Sequence, residues 1–103
     1  PKPNRRLQNG TLLVDAEAQR IFVGDDEVLL TPLQMQLFIH MLERRGRICR
    51  REELVERFLG EDASTRTIDS HVARLRAALG DGASIRTERG QGYRVLEDGW
   101  VEV

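Results

Sequence analysis

Apolar and polar positions follow two rhythms along the chain. Between Leu7 and Leu30, the short apolar stretches Leu12-Leu13-Val14, Ile21-Phe22-Val23 and Val28-Leu29-Leu30 are separated by Asn9-Gly10 and Gly24-Asp25-Asp26. Gly and Asn reach positive φ at low cost, so such residues between apolar runs favour tight hairpins. Three or four short antiparallel strands are expected here. From Thr31 the rhythm lengthens. Thr31 can cap a helix, Pro32 suits the first helical position, where its missing N–H costs nothing, and Gln34 can complete a capping box. Leu37, Phe38, Met41 and Leu42 follow at helical spacing, and Gly46 after Arg44-Arg45 supplies a stop. A second helix is predicted from Arg51 to Leu59, with Leu54, Val55 and Phe58 inward and Gly60 as terminator.

After Ser64-Thr65, the positions Ile68, Val72, Leu75 and Leu79 recur at offsets of 4, 3 and 4. This is one apolar stripe on a third helix. Its other side carries Arg66, Thr67, Ser70, His71 and Arg74, with Ala77 and Ala78 at the stripe's edge and Arg76 on a flank. Gly80-Asp81-Gly82 ends the helix. Ile85–Glu88 and Tyr93–Leu96 then alternate across Arg89-Gly90-Gln91-Gly92, a hairpin whose two glycines permit a tight tip. A helix with an arginine-bearing polar face, followed at once by an arginine-tipped hairpin, is the layout of a winged helix.

The 103 residues suit one domain, and 40% hydrophobic against 32% charged residues allow a core. The single cysteine, Cys49, excludes an internal disulfide framework and a cysteine-rich zinc site. No apolar run approaches the roughly 20 residues that span a bilayer. A soluble, cytoplasmic protein without membrane contact is expected. The first six residues, with two prolines and no apolar side chain, read as a linker remnant, so the chain reads as a domain of a longer protein. The formal charge is −1, but it is unevenly spread. From Ser64 to Leu96 six arginines face three acids, a net of +3, whereas the tail from Glu97 to Val103 carries three acids and no base. Every cation except Lys2 is arginine. The planar guanidinium fork suits phosphates and guanine edges, although genome composition accounts for arginine richness equally well.

Several ordered pieces of the chain resemble the DNA-binding effector domain of OmpR/PhoB-type two-component response regulators. They are Leu30-Thr31-Pro32, Gly46-Arg47-Ile48, Arg51-Glu52-Glu53-Leu54, Arg66-Thr67-Ile68-Asp69-Ser70-His71-Val72 with Arg74-Leu75-Arg76, and Ile85 through Arg94. The resemblance implies an α+β winged helix-turn-helix: an N-terminal four-stranded antiparallel sheet, three helices and a C-terminal hairpin wing. Residues 1–6 are then the linker remnant, 7–96 the winged-helix domain and 97–103 an acidic tail, which either adds a strand, packs Trp100 or hangs loose. The implied function is sequence-specific binding of promoter DNA and transcription control under an upstream receiver domain. No phosphoacceptor aspartate can be assigned in this chain, and no cofactor is implied.

A helix fits a major groove about 12 Å wide, and side chains one turn apart meet successive base edges. Ser70 and Arg74 lie at i and i+4, which makes Arg74 the candidate for reading guanine; the plainer alternative is a phosphate contact. Ala73 stands where many family members carry a second arginine, leaving at most an apolar contact to a thymine methyl. Arg66 and Thr67 open the helix, where free N–H groups attract phosphate, with capping the alternative for Thr67. His71, Arg76 and Arg51 are carried over from the family as phosphate contacts, and Asp69 is expected to orient an arginine. In the wing, Arg89 is placed in the minor groove, whose narrow A·T stretches attract arginine. Thr87 and Tyr93 are placed on the adjacent backbone, with core packing the alternative for Tyr93, and Glu88 pointing away. Arg50 replaces a common Ser or Thr cap, and Leu59 a frequent tryptophan. The short segment 60–65 corresponds to a loop that touches RNA polymerase in relatives. The resemblance further implies two copies bound to direct repeats about one helical turn apart. Nothing in the sequence looks like a large dimer face, so the isolated domain is expected to be a monomer in solution.

An enzyme is excluded on inventory: two histidines, no glycine-rich phosphate loop, no metal-ligand spacing, and no base placed beside Cys49. The rival readings are a winged helix serving as a protein-interaction module, or a transcription factor without a receiver. Acidic or apolar residues on the third helix's polar face would favour protein binding; arginines there favour DNA.

Overall fold

The computed structural model describes residues 6–60 and 62–103, so the linker expected at 1–6 lies outside the described residues except for Arg6. The chain opens with β1 (Arg6–Asn9), β2 (Leu12–Asp15), β3 (Arg20–Val23) and β4 (Asp26–Val28), each antiparallel to the next. Register aligns Leu7, Val14, Ile21 and Val28 in one row across the four strands. Because side chains alternate between faces, this row points at the core, and Leu7, Val14 and Ile21 are buried. The β1–β2 and β3–β4 turns are two residues long and led by Gly10 and Gly24, both at φ +61°. Asn9, expected in the first turn, instead ends β1. Its amide donates 3.1 Å bonds to the Gly82 carbonyl and the Ser84 hydroxyl.

The helices follow their sequence signals. Before α1 (Pro32–Glu43), the Thr31 hydroxyl accepts from the Gln34 N–H at 3.2 Å, and the Gln34 side chain accepts from the Thr31 N–H at 3.3 Å. Leu37, Phe38, Met41 and Leu42 are all buried beneath it. Gly46 donates its N–H to the Val95 carbonyl, tying the helix exit to the wing. In α2 (Arg51–Phe58), Leu54 is buried, and the N-cap residue Arg50 makes no side-chain capping bond, as its replacement of Ser or Thr foretold. In α3 (Thr65–Leu79) the stripe Ile68, Val72, Leu75 and Leu79 is buried. The chain then makes a 3-10 turn (Asp81–Ala83) into β6 (Ile85–Glu88) and β7 (Gly92–Val95).

Two short strands escaped the sequence reading or were left open by it. The strand β5 (Cys49–Arg50) pairs with β7 and makes the wing a three-stranded sheet, β5-β7-β6. At the chain's end, β8 (Val101–Glu102) pairs with β1, extending the expected four-stranded sheet to five strands in the order β4-β3-β2-β1-β8. Trp100 packs against Phe38 with ring centroids 6.5 Å apart. The wing tip also differs from expectation. The loop is Arg89–Gln91, and Gly92 lies within β7, where a Cβ would sit 2.0 Å from the Cys49 carbonyl oxygen. Gly92 therefore serves close strand approach, not the turn. Among the described residues no helix is long and apolar enough to cross a membrane.

Candidate nucleic-acid interface

Opposite its buried stripe, α3 presents Arg66, Thr67, Ser70, Ala73, Arg74, Ala77 and Ala78, all exposed. At about 100° per residue, Arg66, Ser70, Ala73, Arg74 and Ala77 fall on one strip. The strip carries two guanidinium groups on a floor of small side chains, so a surface can approach the helix closely between them. Ser70 donates its hydroxyl back to the Arg66 carbonyl at 3.2 Å. Thr67 sits at the third helical position while Ser64 occupies the N-cap, so capping does not explain Thr67. Among the described residues neither Arg66, Arg74 nor Arg89 has an ion-pair partner. Arg89, Gly90 and Gln91 are fully outside the core at the wing tip.

The flank of α3 that carries Asp69 and Arg76 faces the wing, and four of the expected DNA contacts are drawn together there. Arg51 pairs with Asp69 through two bonds, its Nε donating to Oδ1 at 3.0 Å and its Nη2 to Oδ2. The Tyr93 hydroxyl donates to the same Oδ1 at 2.6 Å. Arg76 lies over the Tyr93 ring, its guanidinium carbon 5.5 Å from the centroid. From there its Nη2 donates to the Ile85 carbonyl at 3.0 Å and to the Thr87 hydroxyl at 2.7 Å. Asp69 thus orients an arginine, as expected, and that arginine is Arg51. The structure commits Arg51, Arg76, Thr87 and Tyr93 to one another, and of the two readings for Tyr93 it favours packing, with 7% of the residue exposed. The pairing also discharges Asp69, the one carboxylate on α3, which would otherwise repel a polyanion at the strip's edge.

Burial, then the hydrogen bond to Asp69, push the Tyr93 hydroxyl up to about 12 from its ordinary 10. The folded protein holds this proton more tightly than the unfolded chain does, so its contribution to stability is complete below pH 10 and is lost as pH rises towards 12. Urea unfolding at pH 9 and pH 11 checks this. Tyr93→Phe is expected to cost about 1–2 kcal/mol at neutral pH and to show a smaller further loss at pH 11 than the parent.

On the outer face of the wing, Glu88 accepts from Arg94 at 2.7 Å and pairs with Arg86 at 3.2 Å. It points away from α3, as alternation predicts. His71 is half-buried on the opposite flank of α3, with Nδ1 enclosed and unpartnered among the described residues. Sequence reading did not place Arg50 at this surface. It is exposed and pairs with Gly92, next to the tip residue Gln91, an arrangement visible only once β5 is known. Elsewhere, Cys49 is buried, and burial pushes its thiol up, away from the nucleophilic thiolate. His40 stacks edge-on against Phe58 at 5.3 Å, and burial, with Arg57 and Arg44 nearby, pushes its pKa below the ordinary value.

Comparison with known proteins agrees with this architecture. The family described as "Transcriptional regulatory protein, C terminal" matches residues 25–95. The phosphate regulon transcriptional regulatory protein PhoB of Rhizobium meliloti is 36% identical over 92 residues, which are 84% of this chain and 40% of that protein. The heme response regulator HssR of Staphylococcus epidermidis is 34% identical over 97 residues, 89% of this chain and 43% of its own length. The chain thus spans about two fifths of the curated relatives it matches. Among solved structures, the response regulator DrrB of Thermotoga maritima superposes with a TM-score of 0.77 at 27% identity, covering 84% of this chain and 42% of that one. The RstA DNA-binding domain of Klebsiella pneumoniae, in complex with its RstA box, gives 0.73 at 26% identity, covering 88% and 96%. With the cap of α1, the stripe of α3 and the wing in their places, this chain belongs to the OmpR/PhoB-type family of transcriptional regulatory C-terminal domains.

Proposed function

We propose that the domain binds double-stranded promoter DNA sequence-specifically as the effector domain of a two-component response regulator, with α3 in the major groove and the wing in the minor groove. The observation that carries this reading is the exposed strip of α3, where Arg66 and Arg74 stand without acidic partners among the described residues while Arg51 neutralises the neighbouring Asp69. Arg74 reads a guanine edge. Arg66, Thr67 and His71 approach phosphates around the helix start, and Arg89 enters the minor groove with Arg50 on the adjacent backbone. Arg51, Arg76, Thr87 and Tyr93 support these groups from behind. The partners of this reading are direct-repeat operators, an upstream receiver domain and RNA polymerase at residues 60–65. Support for them comes from the likeness to response regulators.

Selecting bound duplexes from a random pool gives the preferred site. On that site Arg74→Ala is expected to cost about 1–3 kcal/mol, with little effect on scrambled DNA, as a base contact should. With about four backbone contacts, at Arg50, Arg66, Thr67 and His71, and Arg89 in the minor groove, the parent's log–log salt slope should lie at about −3.5 to −4.5. An equal Arg74→Ala loss on both duplexes would make that residue a phosphate contact, and a flat salt dependence would remove the electrostatic mechanism.

A further inference from the structure

The α3 helix is fixed to the body by four buried side chains, whereas the wing tip Arg89–Gln91 is exposed throughout. The wing is held at its base by Val95 and towards its tip by the pairs of β5 with Tyr93 and Gly92, and the Arg51 N–H donates to the carbonyl of the tip residue Gln91 at 3.3 Å. Among the described residues, the side-chain hydrogen bonds between α3 and the wing are those of Arg76 to Ile85 and Thr87, and of Tyr93 to Asp69. Asp69 lies where three elements meet: it holds Arg51 at the start of α2 and Tyr93 of β7 from the middle of α3. Arg74 leaves the same helix little more than one turn further on.

We propose that Asp69 and Tyr93 are positioning residues that fix the spacing along the duplex between the base pair read by Arg74 and the minor-groove segment entered by Arg89. The proposal rests on the DNA-binding reading and deepens it. Neither residue touches DNA. Their bond sets the angle between wing and helix, so the two arginines engage together at one spacing and only singly at others. Were the link absent, α3 would hold the wing through Arg76 alone, and Arg51, which carries the tip through Gln91, would lose its anchor on Asp69, so the wing would take more than one angle to the helix. Arg89 would then find a minor groove at several spacings, each with a larger ordering cost. A contact that merely stabilises the fold would weaken binding to all duplexes alike or not at all. A positioning contact changes the penalty for misplacing the two sites relative to each other.

The test uses the whole chain on three duplexes: the selected site, the same site with one base pair inserted between the Arg74 and Arg89 contacts, and a scrambled sequence. The parent is expected to lose about 30-fold on insertion, within the usual range for coupled sites. Asp69→Asn and Tyr93→Phe should bind the selected site about 10-fold more weakly than the parent while keeping scrambled binding within about twofold, and should lose less than about 3-fold on insertion. Tyr93→Phe removes one hydroxyl and carries the test should Asp69→Asn fold poorly. Variants that keep the full insertion penalty, or that weaken as much on scrambled as on selected DNA, overturn the proposal. Failure of the parent itself to select any duplex overturns the underlying DNA-binding reading, and this is seen before any variant is made.

Discussion

Gly92→Ala is expected to destabilise the domain by about 3–5 kcal/mol, a large share of what a single domain of this size holds in reserve. The added Cβ would lie 2.0 Å from the Cys49 carbonyl oxygen and 2.9 Å from its carbon, both backbone atoms that no side-chain rotation can move. Relief requires β5 and β7 to separate. That breaks the pairs Cys49↔Tyr93 and Arg50↔Gly92 and draws Tyr93 away from Asp69. Urea or thermal unfolding should show the loss directly, and a midpoint equal to the parent's would show that the strands do not approach this closely. The same substitution at the exposed tip glycine, Gly90, meets no atom within 4 Å. Its cost is confined to the backbone strain of a side chain at φ +75° and should be clearly smaller.

The second large effect concerns binding with the fold intact. Arg66→Ala, Arg74→Ala and Arg89→Ala combined should lower affinity for the selected duplex by about 10²–10⁴-fold near 0.1 M salt, because the charges of Arg66 and Arg89 are each worth roughly eightfold there and Arg74 adds the about 1–3 kcal/mol of its base contact. The log–log salt slope should become shallower by about 2 units, from Arg66 and Arg89. None of the three side chains is buried or ion-paired among the described residues, so the unfolding midpoint should stay within about 0.5 kcal/mol of the parent's. Fluorescence anisotropy across a salt series measures both quantities. A triple variant that binds with the parent's affinity and slope would place the DNA on another surface.

How far the structure was legible from the sequence depended on whether its signals were local. The capping box of Thr31 and Gln34 spans one turn, and the stripe from Ile68 to Leu79 spans one helix, so both could be read without knowing the rest of the fold. The strands β5 and β8, two residues each, are too short to show any periodicity, and their partners lie far away in sequence. Gly92 reads as a tip glycine because its constraint comes from β5, which the sequence pattern does not reveal. The same division holds at the interface. The exposed arginines of α3 followed from helical spacing, whereas the partners of Asp69 lie 18 and 24 residues from it, and Arg76 reaches Thr87 across 11. Arg51, Arg76, Thr87 and Tyr93 share the residue types of phosphate contacts, and only three-dimensional proximity shows that they engage one another.

The pairing of β8 with β1 brings the ends of the described chain to one hydrogen bond's length, since the Val103 N–H donates to the Arg6 carbonyl at 3.1 Å. Whatever is attached before the first strand or after the last therefore departs from a common seam. A pull exerted through the two ends would load that rung first, parting a two-residue zipper before any helix feels the strain.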